Sequence, residues 1–254
     1  RFDFEQERFR SIPGSPLSFD LPEPLIDAFA KFPSTSSHCN AKKGTTTGNN
    51  DLYLRFHWEC SRGTIGFSGT DDSKRFFPHA KGGDARKWFG NLEYLMGYDR
   101  NFLHRMGKEK GFRHDGKDFF FREGLSWSGI SSDVTSFRYS PAGLTFNNAA
   151  PTAFFDERDV MLEVLLAVNS KVARPIIQTL NPTLNFNPGD FGNIPIAPAK
   201  HVHTDIPTLC NRMIDLARDD WDAYETSWDF NTLPLLSPDF RAETLADAYS
   251  NLRA

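Results

Sequence analysis

Lys42-Lys-Gly-Thr-Thr-Thr-Gly-Asn-Asn packs two cations, three hydroxyls and two amides into nine residues. Ammonium groups and small hydroxyl donors suit phosphate oxygens, and side-chain amides suit the edges of bases. Two later stretches repeat that inventory. Residues 74–87 hold Lys74, Arg75, Lys81, Arg86 and Lys87 around Gly82-Gly83 and between aromatic side chains. Residues 122–138 add Arg122, Ser126, Ser128 and Arg138. Together with Lys42, Lys43, Thr47, Asn49 and Asn50 these are the candidate contacts to a polyanion. The competing reading is that they are ordinary solvated charges on loops, and composition alone does not separate the two.

Bond-making chemistry finds less support. A glycine-rich dinucleotide loop and a phosphate-binding P-loop are both missing, and Gly63-Thr-Ile-Gly-Phe-Ser-Gly has the spacing of a hairpin turn rather than either. There is no G-x-S-x-G elbow to present a serine nucleophile. His201-Val-His203, with Asp205 nearby, offers two imidazoles but no local third and fourth ligand for zinc, so both read as loop histidines. Cys39, Cys60 and Cys210 are an odd, scattered set without C-x-x-C spacing. They read as free buried thiols in a reducing compartment, and so favour the cytoplasm. The residues therefore point to no catalytic group, no metal and no cofactor within this chain.

The elements that must carry the candidates follow from patterning. In 254 residues there is room for one large domain or two modest ones, and 24 Phe must go largely into cores or sheets. Charge is unevenly spread: residues 41–126 carry 16 Lys/Arg against 11 Asp/Glu, while residues 127–254 carry 9 against 16. The basic middle can face an anionic partner although the whole chain has a net charge of −4. No apolar run approaches membrane-span length.

Pro24 at a helix's first turn, with Leu25, Phe29 and Phe32 at helical spacing, predicts a helix near residues 23–32. Leu52 to Cys60 alternates and predicts a strand. Arg100, Arg105, Lys108, Lys110 and Arg113 mark a basic loop or short helix, Phe119 onward reads as strand then turn, and Phe137 to Phe146 reads as a hairpin around Pro141 and Gly143. Val160, Val164, Val168 and Val172 predict one helix over 157–174, ended or kinked by Pro175. Leu180-Asn-Pro-Thr-Leu-Asn-Phe and Asn187-Pro-Gly-Asp read as strand and turn, and 205–225 as a second helix inside an acidic, helical C-terminal part.

Read in order, the motifs carry more than any one of them. They run Ile12-Pro-Gly-Ser-Pro; Gly44-Thr-Thr-Thr-Gly-Asn-Asn-Asp with Leu54-Arg-Phe-His-Trp-Glu; Lys81-Gly-Gly with Arg86-Lys-Trp-Phe-Gly-Asn; and Arg122-Glu-Gly-Leu-Ser-Trp-Ser-Gly. Arg138-Tyr-Ser-Pro-Ala-Gly, Leu166-Ala-Val-Asn-Ser-Lys, Gly189-Asp-Phe-Gly-Asn-Ile-Pro-Ile and Trp221-Asp-Ala-Tyr-Glu-Thr-Ser-Trp follow. The series resembles the C-terminal half of the PglX-type adenine-specific DNA methyltransferases of BREX phage-defence systems.

That resemblance implies an α+β fold: a mixed, twisted β-sheet target-recognition domain with packed helices, followed by a helical extension. It divides the chain into a connector (residues 1–40), a DNA target recognition domain (41–200) and the extension (201–254). It implies double-stranded DNA as partner, other BREX proteins as further partners, and S-adenosyl-L-methionine as cofactor of the parent enzyme only. The family's Asn-Pro-Pro-Tyr-type tetrapeptide, which grips a flipped adenine, has no counterpart here, because Asn181-Pro-Thr and Asn187-Pro-Gly lack the second proline and the aromatic. The catalytic half is expected upstream of Arg1, and the fragment alone is expected to be inactive. Docking to other defence proteins and service as the specificity domain of a restriction-modification enzyme are the alternative roles.

Overall fold

The computed structural model describes residues 6–69, 71–130, 135–198 and 205–253. Its strands form two four-stranded sheets. The first joins β1 (Cys39–Lys42), β8 (Thr152–Phe155), β5 (Gly124–Trp127) and β6 (Phe137–Ser140) in that order, every pair antiparallel. The second joins β2 (Leu54–Phe56), β4 (Tyr94–Gly97), β3 (Phe76–Ala80) and β7 (Thr145–Phe146), with β3 and β7 parallel. The fold is α+β, as expected from the sequence, but the single sheet is divided in two.

The division corrects the expected hairpin. β6 pairs with β5 in the first sheet and β7 with β3 in the second, so Pro141 to Leu144 is a crossing between sheets. Gly143, at φ +93°, lies where a Cβ would stand 2.3 Å from the Phe67 carbonyl oxygen, so only glycine fits that crossing. The strand expected from Leu52 is also shortened. Asn49 accepts a hydrogen bond from the Leu52 N–H and starts a helical turn, α2 (Asn50–Tyr53), before β2 begins.

One continuous core draws on both sheets and on the helices packed against them. Trp127 is fully buried, stacks on Phe191 at 4.8 Å and donates from its indole N–H to the Phe186 carbonyl at 2.9 Å. The stretch around residues 181–196 is thereby the seam that closes the core. It has no strand. Helix α5 (Ala173–Leu180) runs into it, and Asn187-Pro-Gly-Asp opens a short helix, α6 (Pro188–Gly192), where Asp190 accepts from the Asn187 N–H.

The long helix expected over 157–174 is two. α4 (Arg158–Val168) buries Met161, Leu162, Val164, Leu165 and Val168, and stops at Asn169. Pro175 does not end a helix; it occupies the first turn of α5, where its missing N–H costs no bond. Asn169 makes the stop necessary, since its amide bridges the Phe137 N–H and carbonyl at 3.1 and 2.9 Å. Helix α1 (Glu23–Lys31) forms as expected and covers a small cluster of Phe9, Ile12, Leu21 and Ile26. Helix α7 (Ile206–Asp222) packs on α4 and sends Cys210, Ile214 and Trp221 into the main core. Helix α8 (Leu245–Arg253) rests only on neighbouring turns within 234–240 among its stronger contacts.

Candidate nucleic-acid interface

The structure sorts the sequence candidates by what surrounds them. Thr47, Ser126, Ser128 and Arg138 are buried. Ser126 donates to the Pro151 carbonyl at 3.2 Å and Ser128 to the Gly83 carbonyl at 2.7 Å. Arg138, 4% exposed, donates to Ser128 at 2.9 Å and reaches the Arg86 carbonyl at 3.4 Å. Burial holds its guanidinium down to about 10, with the charge of Glu93 opposing that shift. Thr47 donates to Asn50 Oδ1 at 2.8 Å, and Asn49 is the cap of α2. These side chains face protein and hold the loops in place.

A second set is partly committed. Arg86 forms an ion pair with Asp220 at 2.8 Å and lies over Trp221, while Lys87 donates to the Asn169 carbonyl at 2.7 Å. Lys74 donates to the Gly63 carbonyl at 3.0 Å, Arg75 pairs with Asp99 at 3.4 Å, and Lys81 lies 4.3 Å from the Tyr94 ring centre. These contacts knit α7 and the β3–β4 region together, so charge here serves packing as well as surface potential.

The third set gathers at one edge. Lys42 and Arg122 both lie over the Phe119 ring, at 5.2 and 5.3 Å, although 80 residues apart. Lys43 is exposed beside them, and its carbonyl lies against Gly116. Thr46 pairs with Arg113 through two backbone hydrogen bonds, at 2.9 and 3.0 Å. Gly48, at φ +78°, sits so close to the next segment that a Cβ would approach that of Glu109 to 2.6 Å. The 43–50 loop is thus laid along residues 109–116.

That pairing brings in cations that the motif-based candidate set omits. Arg105, Lys108, Lys110, Arg113 and Lys117 are exposed on or after helix α3 (Arg100–Met106). Their platform is a small core of Tyr53, Phe102 and Met106. Asp99 accepts from the Phe102 N–H at 2.8 Å and starts α3. Glu109, an acid within the ridge, is engaged by the Tyr53 hydroxyl at 2.8 Å. Among the described residues, Lys43, Lys108, Lys110, Lys117 and Arg122 take part in no ion pair, and Arg113 has one, with Asp115 at 3.6 Å. The sequence signal for them was their density between 100 and 117. What it lacked was the contact with the 43–50 loop.

No group of three or more His, Cys, Asp or Glu side chains among the described residues is placed to hold a metal ion. His201 and His203 lie outside the described residues. Cys39 and Cys60 are half-buried and Cys210 buried, all three free, and burial pushes the thiols of Cys39 and Cys210 up to about 11. None has the lowered ionisation of a reactive thiolate. No helix among the described residues is long and apolar enough to cross a membrane.

No protein-family model matches the chain. Two curated proteins are similar to nearly all of it. The adenine-specific methyltransferase BrxX of Escherichia coli O9:H4 (strain HS) is 33% identical over 234 residues, covering 91% of this chain and 19% of its own length. The adenine-specific methyltransferase PglX of Lacticaseibacillus casei (strain Zhang) is 32% identical over 246 residues, 92% of this chain and 20% of its own. The chain spans about a fifth of the length of these relatives. Its sequence fits a fragment of the adenine-specific methyltransferase family that these two relatives represent.

Proposed function

We propose that this chain is a DNA target-recognition module of an adenine-specific methyltransferase, binding duplex DNA and directing methylation at a short site. The observation that carries this reading is the ridge of exposed cations running from Lys43 through Lys108, Lys110, Arg113 and Lys117 to Arg122, built where two distant segments meet. Glu109, Asp115 and Asp118 lie among them, Glu109 engaged by the Tyr53 hydroxyl and Asp115 by Arg113, yet the six cations outnumber the three acids, and that excess suits an anionic partner. Asn50 at the loop's exposed end, with Lys42 at its start, gives the ridge one amide and one further cation. Methyl transfer would belong to the rest of the parent enzyme, which would supply the S-adenosyl-L-methionine site; this fragment would not catalyse it alone. Other BREX proteins would be its partners in phage defence, in the cytoplasm.

The test is the salt dependence of duplex binding. The logarithm of the binding constant should fall against the logarithm of salt concentration with a slope of about −0.9 for each phosphate neutralised, hence about −3 or steeper for this ridge. A slope near zero between low and moderate salt would overturn the reading.

A second reading, docking to another protein of the defence system, is favoured by one observation. Leu233, Leu236, Leu245 and Tyr249 are all strongly exposed in the acidic C-terminal part. Substituting Leu236 and Leu245 together with Ser separates the two: loss of partner retention with intact DNA binding supports docking by this face. Arg86 is unsuited to that comparison, because its removal also breaks the bond to Asp220 that anchors α7.

A further inference from the structure

A cleft of about 510 Å³ is walled by Trp58, Asp84, Asn91, Glu93, Arg86 and Thr226. Three independent features of it point to a ligand. The first is a flat aromatic wall. Trp58 stacks on Phe56 at 4.5 Å and 6°, Phe56 on Tyr94 at 4.7 Å, and the Lys81 ammonium lies over Tyr94. This column holds the indole rigidly by one face, yet Trp58 remains 54% exposed. An indole face left open to water on a braced platform is suited to stack on another ring.

The second feature is an acceptor-rich rim. Arg86 is committed to Asp220, and the Asn91 Nδ2 donates to the Asp84 carbonyl at 2.9 Å, which leaves Asn91 to offer its oxygen. Asp84 is exposed, and the half-buried Glu93 lines the cleft with an enclosed Oε2 that has no hydrogen-bond partner. The third is backbone strain concentrated in the loop that frames the cleft. Trp88 has φ +71° and Asn91 φ +58°, and Gly83 at φ +124° leaves no room for a Cβ beside the Asn91 amide. Left-handed non-glycine residues cost free energy and cluster where a site needs its geometry.

From these features we propose that the Trp58 cleft binds a single unstacked nucleobase bearing an exocyclic amine, its ring on the indole and its amino group toward Glu93 and Asn91. Trp221 also lines the cleft but is buried beneath Arg86, so one open aromatic face remains, which favours a flat ligand over a quaternary ammonium that needs aromatic faces on several sides. An acceptor rim favours adenine or cytosine over thymine. The acids keep a phosphate out of the cleft, so the base enters first and the backbone stays outside.

The decisive probe carries no phosphate, so its outcome is independent of whether the basic ridge binds DNA. Adenosine, cytidine and thymidine are each offered to the full chain, and saturation transfer to base and sugar protons is read by NMR. Adenosine or cytidine base protons should saturate more strongly than sugar protons and more than those of thymidine. Trp58→Ala should weaken binding at least about five-fold, the loss of one stacked base, and Trp58→Phe should restore most of it. Glu93→Gln should erase the preference over thymidine. Transfer that is absent, confined to the sugar, or unchanged in Trp58→Ala overturns the proposal. So does a signal won equally by trimethylammonium. Because Trp58 is largely exposed, the Ala variant should melt with the parent, and Trp58→Phe retains the stack if it does not.

Discussion

Arg122 stands just before β5 and Arg138 on β6, the strand paired with it, yet the two guanidiniums meet opposite surroundings. Arg138 is enclosed, hydrogen-bonded to Ser128 and shares its field with Glu93. Arg122 is exposed, and its contacts among the described residues are with the Phe119 and Phe154 rings. The difference teaches how this chain uses positive charge. Inside, a cation ties the β3–β4 loop to the first sheet, and losing it strands polar partners. At the edge, a cation stores potential that a partner must discharge.

The sharpest way to break that contrast is Arg138→Ala. It removes the buried guanidinium that bonds Ser128 and faces the half-buried Glu93, so the fold should lose about 1.5–3 kcal/mol, measured as a shifted denaturant midpoint. Arg122→Ala, the matched control, should stay within about 0.5 kcal/mol of the parent. Equal losses would erase the distinction.

Reversing the readout gives the next largest effect. Substituting Lys110, Arg113, Lys117 and Arg122 together with Ala should leave the melting temperature nearly unchanged and weaken duplex DNA binding about a hundred-fold near 0.1 M salt, about 2.7 kcal/mol. The salt slope should shrink by about three. A destabilised fold with unchanged affinity would place these cations on the structural side instead.

A third test separates a buried titratable group from the surface by pH. His79 is fully buried and its Nδ1 lies 2.8 Å from Thr145 Oγ1, which itself donates to the Pro78 carbonyl at 3.1 Å. That hydroxyl proton is spent, so Nδ1 carries the hydrogen and the imidazole is neutral. Burial first, and the Lys81 charge second, hold its ionisation down to about 3. A free histidine titrates near 6.5, so below that pH the unfolded chain binds the proton and the folded chain does not. The stability His79 contributes is therefore present above about 6.5 and is lost as pH falls toward 3. Between pH 6.5 and 5 the loss should be about 2 kcal/mol, and His79→Leu should flatten that slope whatever its constant offset. An unchanged slope would show that the other buried groups account for it.

Local periodicity was enough to find α1, α4 and α7, because each has an apolar stripe long enough to be read from spacing. It was not enough to divide the strands between two sheets, since β6 and β7 are four residues apart and nothing local says that the chain crosses over there. Nor does spacing separate Arg138 from Arg122. Burial is decided by Trp88 and Asn169, which bond to the β6 backbone from distant parts of the chain. The ridge was half legible: the density of Lys and Arg between 100 and 117 is visible, and its union with the Lys42–Asn50 loop is tertiary.

Asn49 is where the two roles meet, and it allows the finest cut. In sequence it looks like a base-reading amide. In the structure its Oδ1 accepts from the Leu52 N–H at 3.3 Å and caps α2, which keeps the loop against residues 109–116. Asn49→Ala removes the cap and should cost about 1 kcal/mol, while Asn49→Asp keeps an equally good cap. If Asn49 only positions the loop, the Asp variant should melt with the parent and lose DNA affinity modestly, by the repulsion of one added charge beside the ridge. If Asn49 reads a base directly, Asp should change which duplex sequence is preferred, because it turns an amide that donates and accepts into a group that only accepts. Selection of bound duplexes from a random pool, run on parent and Asp variant side by side, tells a uniform loss from an altered preference, and the cap geometry predicts the uniform loss.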